Sequence, residues 1–489
     1  MSEILFHYHK VDPTTWVYLS SLLTIGLFFK FNRFWSVRNL DLVLLILLAP
    51  GLLMVNEALH AQRTAPPVAV EPSSTPAASA PRSVGGSMFV AWLEPGTTAQ
   101  AAPPAPNSPQ SLAYIGYVWL FAVSALWLVR LLLDPTMVRR PLLEPNLTNG
   151  GLVFIGVSLF LFLMANVITS DLSPEDLKGA AGAQALLTRQ NQDQIEDYKQ
   201  FGPGYYFLHV LPSVPTSPFL RPQTEKAEAY ALVVKLMAIL SHLAVVAGLV
   251  TIGYWHFDNI RMGIGAATLY LMLPYTAQMT GHVDHVLPAA LLLWAVVLYR
   301  RPGLAGAFLG LAISVFYYPL FLLPLWISFY WQRGLGRFLS GTGAAVAVMI
   351  LSLVFVSEDV ASFWNKFQPM FALWVPKTSG LVGIWQQYWD AWYRLPVIAG
   401  CGALAAGLAI WPAHKNLGTL LSCSAALMVA VQFWHGFGDG GGMYMAWYLP
   451  LLLMTVFRPN LEDRVALSVL GEGWFVKRRA RLAQFDRAA

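Results

Sequence analysis

The stretch Gly281–Trp331 reads GHVDHVLPAALLLWAVVLYRRPGLAGAFLGLAISVFYYPLFLLPLWISFYW: a polar turn, an apolar helix, a basic hairpin, a small-residue helix and a helix opened by proline. Two apolar runs back to back around Arg300 and Arg301 put His282, Asp284 and His285 at one membrane face and the arginine pair at the other. One segment therefore sets an orientation and marks a candidate site.

Working outward, the chain of 489 residues is 56% hydrophobic and only 12% charged, with a mean hydropathy of +0.53. A soluble core cannot absorb that much apolar surface, so the composition predicts an all-α, polytopic transmembrane helix bundle. The net charge of +5 sits in short loops, where it sets topology; it does not form a nucleic-acid-binding face. Cys401 and Cys423 fall in apolar runs and behave as small hydrophobes. The first apolar run lacks a basic n-region and a small-residue cleavage site, so it is expected to be a retained span.

Counting apolar runs of roughly 15 to 22 residues predicts about thirteen spans. They fall near 15–31, 39–56, 112–133, 151–169, 229–253, 260–275, 285–299, 303–317, 318–331, 341–356, 394–411, 417–434 and 443–457. One alternate set of loops carries Lys30, Arg33 and Arg38, then Arg139 and Arg140, Arg261, Arg300 and Arg301, Arg333 and Arg337, and Lys415. By the positive-inside rule that set is cytoplasmic, which puts the N-terminus outside and the basic tail of 458–489 inside. Asn146 begins a glycosylation sequon on the expected cytoplasmic side and is read as chance. The expected location is a bacterial inner membrane, with an endoplasmic reticulum membrane as the alternative.

The opposite loops are longer. The first, 57–111, is dominated by Pro, Ala and Ser and is expected to be a disordered external linker. It divides an N-terminal transmembrane pair (1–56) from a third span with its cytoplasmic loop (112–149) and the main domain (150–457).

Ionisable groups gathered at one face of a helix bundle mark a site, because charge inside hydrocarbon is costly. Asp171 directly follows the span ending at Thr169, where a rigid helix could hold it as a general base. In the same segment Ser173 is placed to cap a surface helix opened by Pro174 and Glu175, with Asp176 beyond it. The His282, Asp284 and His285 turn has ligand-type side chains but no second cluster at metal spacing, so no metal site is assigned. Lys235 lies roughly 9 Å inside its span by helix rise, placed to snorkel or to meet a lipid phosphate. Lys377, Arg394, His435 and Asp439 accompany many aromatics in the late external segments. Gly306, Gly310 and Ser314 form a small-residue stripe suited to close helix packing.

From about Gly150 onward the order of these features resembles the glycosyltransferase-C superfamily, and within it the polyprenyl-phosphate-mannose-dependent alpha-mannosyltransferases. The resemblance is carried by Asp171 after an early span, Gly202-Pro203-Gly204-Tyr205-Tyr206 with Leu211-Pro212, Lys235 in the next helix, the GHVDH turn, and Tyr318-Pro319 opening a helix. It implies transfer of a mannose-like hexose from a polyprenyl-phosphate donor to a glycan or lipid acceptor on the external face. In that scheme Asp171 is the base, and Lys235, Lys377 and Arg394 offset donor phosphate. Asp176, Tyr205, His282, Asp284, His285, Tyr318 and Asp439 contact sugar or acceptor. A lipid-linked donor needs no nucleotide fingerprint, and none is present; no resident cofactor is read from the residues, and metal dependence stays open. The chain departs from the family at Phe316, where a lysine commonly precedes the Tyr-Pro pair. A silent scaffold subunit and a transporter or flippase are the competing readings, and residues 1–149 lie outside the resemblance.

Overall fold

The computed structural model describes residues 12–64, 108–137, 142–188, 201–216, 226–354, 357, 359–370, 381–413, 415–438, 441 and 444–459. Among them every regular element is helical. In chain order these are α1 (Pro13–Phe28), α2 (Val37–Thr64), α3 (Pro109–Leu133), α4 (Asn149–Thr169), α5 (Lys178–Thr188) and α6 (Pro203–Thr216). Next come α7 (Lys226–Trp255), α8 (Ile260–Met272), α9 (Pro274–Gln278), α10 (Val283–Val297), α11 (Pro302–Val315) and α12 (Leu323–Tyr330). The last are α13 (Leu335–Val354), α14 (Val360–Met370), α15 (Ile384–Gln387), α16 (Arg394–Ile410), α17 (Leu417–His435) and α18 (Met445–Phe457).

Local chemistry sets many of the starts. Asp12 accepts from Thr15 N–H at 3.1 Å ahead of Pro13, and Ser108 does the same for Ser111 ahead of Pro109, each combining a side-chain cap with proline in the first turn. Asn416 caps α17 through Thr419 N–H at 2.9 Å. At the other end of α17, Gly436 sits at φ +67° and closes the helix in the left-handed region.

Each of the thirteen apolar stretches contains a helix, but length divides them. Among the described residues seven helices are long and apolar enough to cross a membrane, and they mark an integral membrane protein. Five apolar segments are shorter, Ile260–Met272, Val283–Val297, Pro302–Val315, Tyr318–Tyr330 and Met445–Phe457, and α1 has 16 residues. A helix of about 14 residues rises only about 21 Å, less than a hydrocarbon core of roughly 30 Å. An apolar run does not distinguish lipid contact from burial in protein, which is why run counting gives about thirteen.

Burial shows where the short helices belong. Every residue of α18 is buried, as are nearly all of α8 and α10. Of the seven long helices, α17 is the central one: its apolar window is fully buried, against 28% for α4 and for α13. The outer helices turn Phe154, Leu161 and Ile410 outward, as lipid-facing positions do. Close approach in this packing depends on small residues: a Cβ on Gly310 would lie 2.6 Å from the Thr342 carbonyl oxygen, and one on Gly306 would strike that of Phe338. The small-residue stripe is thus the seam between α11 and α13.

Helix α2 runs through Thr64 and α3 opens at Pro109, so the linker expected over 57–111 is cut back at both ends; its interior, 65–107, lies outside the described residues. The basic tail beyond residue 459 also lies outside them, with Arg139 and Arg140. Helices α5 and α6 occupy the loop expected at 170–228.

Helices α2 and α3 are joined to the end of α18 by a buried ionic network. Arg130 Nε and Nη2 donate to Asp41 at 2.7 and 2.9 Å, and Arg130 Nη1 to Asp134 at 3.0 Å. Arg458, just past α18, donates to the other Asp134 oxygen at 2.6 Å, and Arg38 donates to the Arg458 carbonyl oxygen at 2.7 Å.

Candidate functional site

At the opposite end of the bundle from that network, the helix ends and loops expected to be external converge on a cavity of ≈ 1070 Å³. That is at the upper end of the range for ligand clefts. It is lined by Asp171, Asp176, Tyr205, His282, Asp284 and His285 from the predicted set.

The carboxylates differ in what they touch. Asp171, in the extended segment after α4, is exposed to the cavity and has no hydrogen bond or ion pair among the described residues. Asp176 is fully engaged: one oxygen meets His282 Nδ1 at 2.9 Å, and the other accepts from Ser173 N–H at 2.9 Å and from its hydroxyl at 2.7 Å. Burial pushes the Asp176 carboxyl up, but the His282 hydrogen bond and charge, with the two Ser173 bonds, outweigh it and hold it below the usual carboxylate value. The helix expected to open at Pro174 begins instead at Lys178, because Asp176 closes residues 173–176 into a turn.

Behind this pair, the Tyr275 hydroxyl meets His285 Nδ1 at 2.8 Å. On the other side of the ring, His285 Nε2 lies 3.7 Å from an Asp284 carboxylate oxygen. His242, deep in α7, receives Tyr270 OH at 3.0 Å and donates to the Thr280 carbonyl at 3.1 Å, so it fixes the polar turn from below. The Val382–Gln386 wall is set where Ile384 N–H donates to the Gly436 carbonyl at 2.8 Å, an approach that Gly383 at φ +63° permits.

The other predicted residues lie elsewhere. Lys235 Nζ donates to the Ile168 carbonyl at 2.7 Å, capping the end of α4. Arg394 Nε donates to the Trp434 carbonyl at 3.1 Å. Neither lines the cavity. Tyr318 pairs with the Tyr317 hydroxyl at 2.6 Å in an aromatic group with His435, Tyr444 and Trp447. Phe316 is 2% exposed and packs on Trp447, Phe201 and Tyr444 at 4.7, 5.5 and 5.8 Å. Lys377 and Asp439 lie outside the described residues.

Sequence reading misses the opposite wall. Pro13 and Trp16 of α1, Asn56 and His60 of α2, Tyr117 of α3, and Phe162 and Asn166 of α4 all line the cavity. So does Lys178, whose cue is its position at the first turn after the Asp171 segment. Among the described residues no group of three or more His, Cys, Asp or Glu side chains is arranged to hold a metal ion. No family model matches the sequence, and no curated protein matches it.

Proposed function

We propose that the protein is a membrane glycosyltransferase that moves a hexose from a polyprenyl-phosphate donor to an acceptor hydroxyl within this cavity. The observation that carries the reading is Asp171: a carboxylate without a partner among the described residues, facing a ligand-sized cavity at the end of a membrane helix. Inverting transfer needs one group to take the acceptor proton and a cation to offset the departing phosphate. Asp171 suits the first role. Lys178 suits the second better than Lys235 or Arg394, which donate to backbone carbonyls away from the cavity. Asp176, held by three hydrogen bonds, serves to position His282, and Asp284 remains to receive sugar hydroxyls.

The test is transfer of radiolabelled sugar from a panel of polyprenyl-phosphate sugars by the full chain in lipid nanodiscs. Asp171→Asn is expected to lower kcat by about 10²- to 10⁴-fold, the usual contribution of a general base, with an unchanged melting temperature. Phe316 favours a second reading, a scaffold that has kept the fold, because the position where the family commonly has a lysine is here packed among aromatic rings. Folded wild-type protein that turns over no donor would select the scaffold.

A further inference from the structure

The cavity wall contributed by α1 and the last turn of α4 contains polar atoms that nothing among the described residues satisfies. Trp16 is 8% exposed and Asn166 7%. Both line the cavity, and among the described residues neither Trp16 Nε1 nor Asn166 Oδ1 has a hydrogen-bond partner. Gln278 Nε2, from α9, is a third such atom on the same cavity.

A buried donor or acceptor without a partner costs about 1–3 kcal/mol, so three on one cavity call for a ligand that supplies the missing bonds. Trp16 Nε1 and Gln278 Nε2 can only donate, and Asn166 Oδ1 can only accept. A phosphate or carboxylate would satisfy the donors and leave Asn166 facing a second acceptor. An apolar chain would satisfy none of them. A hydroxyl both gives and takes a hydrogen bond, so a ring carrying several offers both kinds of partner that these atoms lack. Around them the wall is aromatic: the Trp16 and Phe162 rings are stacked at 5.4 Å and 7°, which fixes the indole in place.

We infer that α1 and α4, with Gln278, form a subsite for a polyhydroxylated ring, and that this ring is the acceptor sugar. The assignment to the acceptor rests on the transferase reading, since Asn166 lies one turn before Asp171 and a ring held there presents a hydroxyl to that carboxylate. The helices outside the family resemblance are thus part of the site and determine what it accepts.

The experiment measures binding apart from turnover. Full-length protein in nanodiscs is titrated with methyl α-mannoside and methyl α-glucoside by saturation-transfer difference NMR, with hydroxyl-free tetrahydropyran as the control. Trp16→Phe removes the N–H and keeps an aromatic ring; Asn166→Leu removes the acceptor. Wild type is expected to bind a glycoside and not tetrahydropyran, and each variant to weaken binding about tenfold, the loss of one buried hydrogen bond. In the transfer assay the same variants are expected to raise acceptor KM with donor KM unchanged. Equal glycoside binding by wild type and both folded variants would overturn the subsite, and so would a rise in donor KM alone. Glycoside binding that the variants lose, in a protein that turns over no donor, would uphold the subsite and sink the transferase reading.

Discussion

Replacing Asp134 by Asn is expected to destabilise the protein by about 3 kcal/mol, the lower end of the range for breaking a buried ion pair from one side. The geometry places the effect. Asp134 is fully buried, and its two oxygens accept from Arg130 at 3.0 Å and from Arg458 at 2.6 Å. Arg130 keeps Asp41 through two further bonds, so it is not orphaned. Arg458 is 7% exposed at its side chain, its Nε already lacks a partner among the described residues, and Asp134 is the carboxylate it meets there. The cost therefore falls on one uncompensated guanidinium, and its low exposure leaves little room for water to screen it. Unfolding by denaturing detergent in mixed micelles measures the loss. The double variant Asp134→Asn with Arg458→Met is expected to recover more than half of it, because the stranded charge is then gone. A loss under about 1 kcal/mol, or a double variant less stable than the sum of the singles, would refute the reasoning.

Gly306→Leu places side-chain atoms against the Phe338 carbonyl and should force α11 from α13, lowering stability by about 1–3 kcal/mol as overpacking does; thermal unfolding reads it, and an unchanged midpoint would show that the seam is loose. The Asp176 link to Ser173 and His282 should be pH-dependent in one direction. Because its folded pKa is depressed, its contribution is present above the usual carboxylate value near pH 4 and is lost as pH falls through the folded value. Amide exchange over residues 171–178, corrected for intrinsic rates, should therefore show an acid step as pH falls below about 4. Asp176→Asn should abolish that step, and retention of the step in the variant would assign it to another group.

The site residues that the sequence does reveal are those whose chemistry is out of place. Asp171, Asp176, His282, Asp284 and His285 are polar groups at the edges of apolar runs, and loops from one end of a bundle have few places to meet. Trp16 and Tyr117 carry no such mark, because Trp and Tyr near a membrane edge are expected as interfacial anchors, whereas Asn56 and His60 do lie at the edge of an apolar run, beside the Pro-, Ala- and Ser-rich stretch. A helix apolar on all sides also has no periodicity to show which face points inward. The small-residue stripe is readable for the opposite reason: Gly306 and Gly310 are four apart, and small residues at that spacing have a packing use. Lys235 and Arg394 show where charge alone misleads, since both donate to nearby helix carbonyls, partners that a sequence does not display. The short α8, α10 and α18 read as spans in the sequence because burial inside a bundle and burial in lipid select the same residues.

The contact between Asp134 and Arg458 closes a separation of 324 positions. At a synthesis rate of about 5–20 residues per second, the carboxylate waits roughly 16–65 s for its second guanidinium. During insertion Asp134 has Arg130 close by, but the Arg458 guanidinium reaches it only when the end of α18 arrives. Helices α2 and α3 thus enter the membrane with this network incomplete, and the residue just past α18 is the one that completes it.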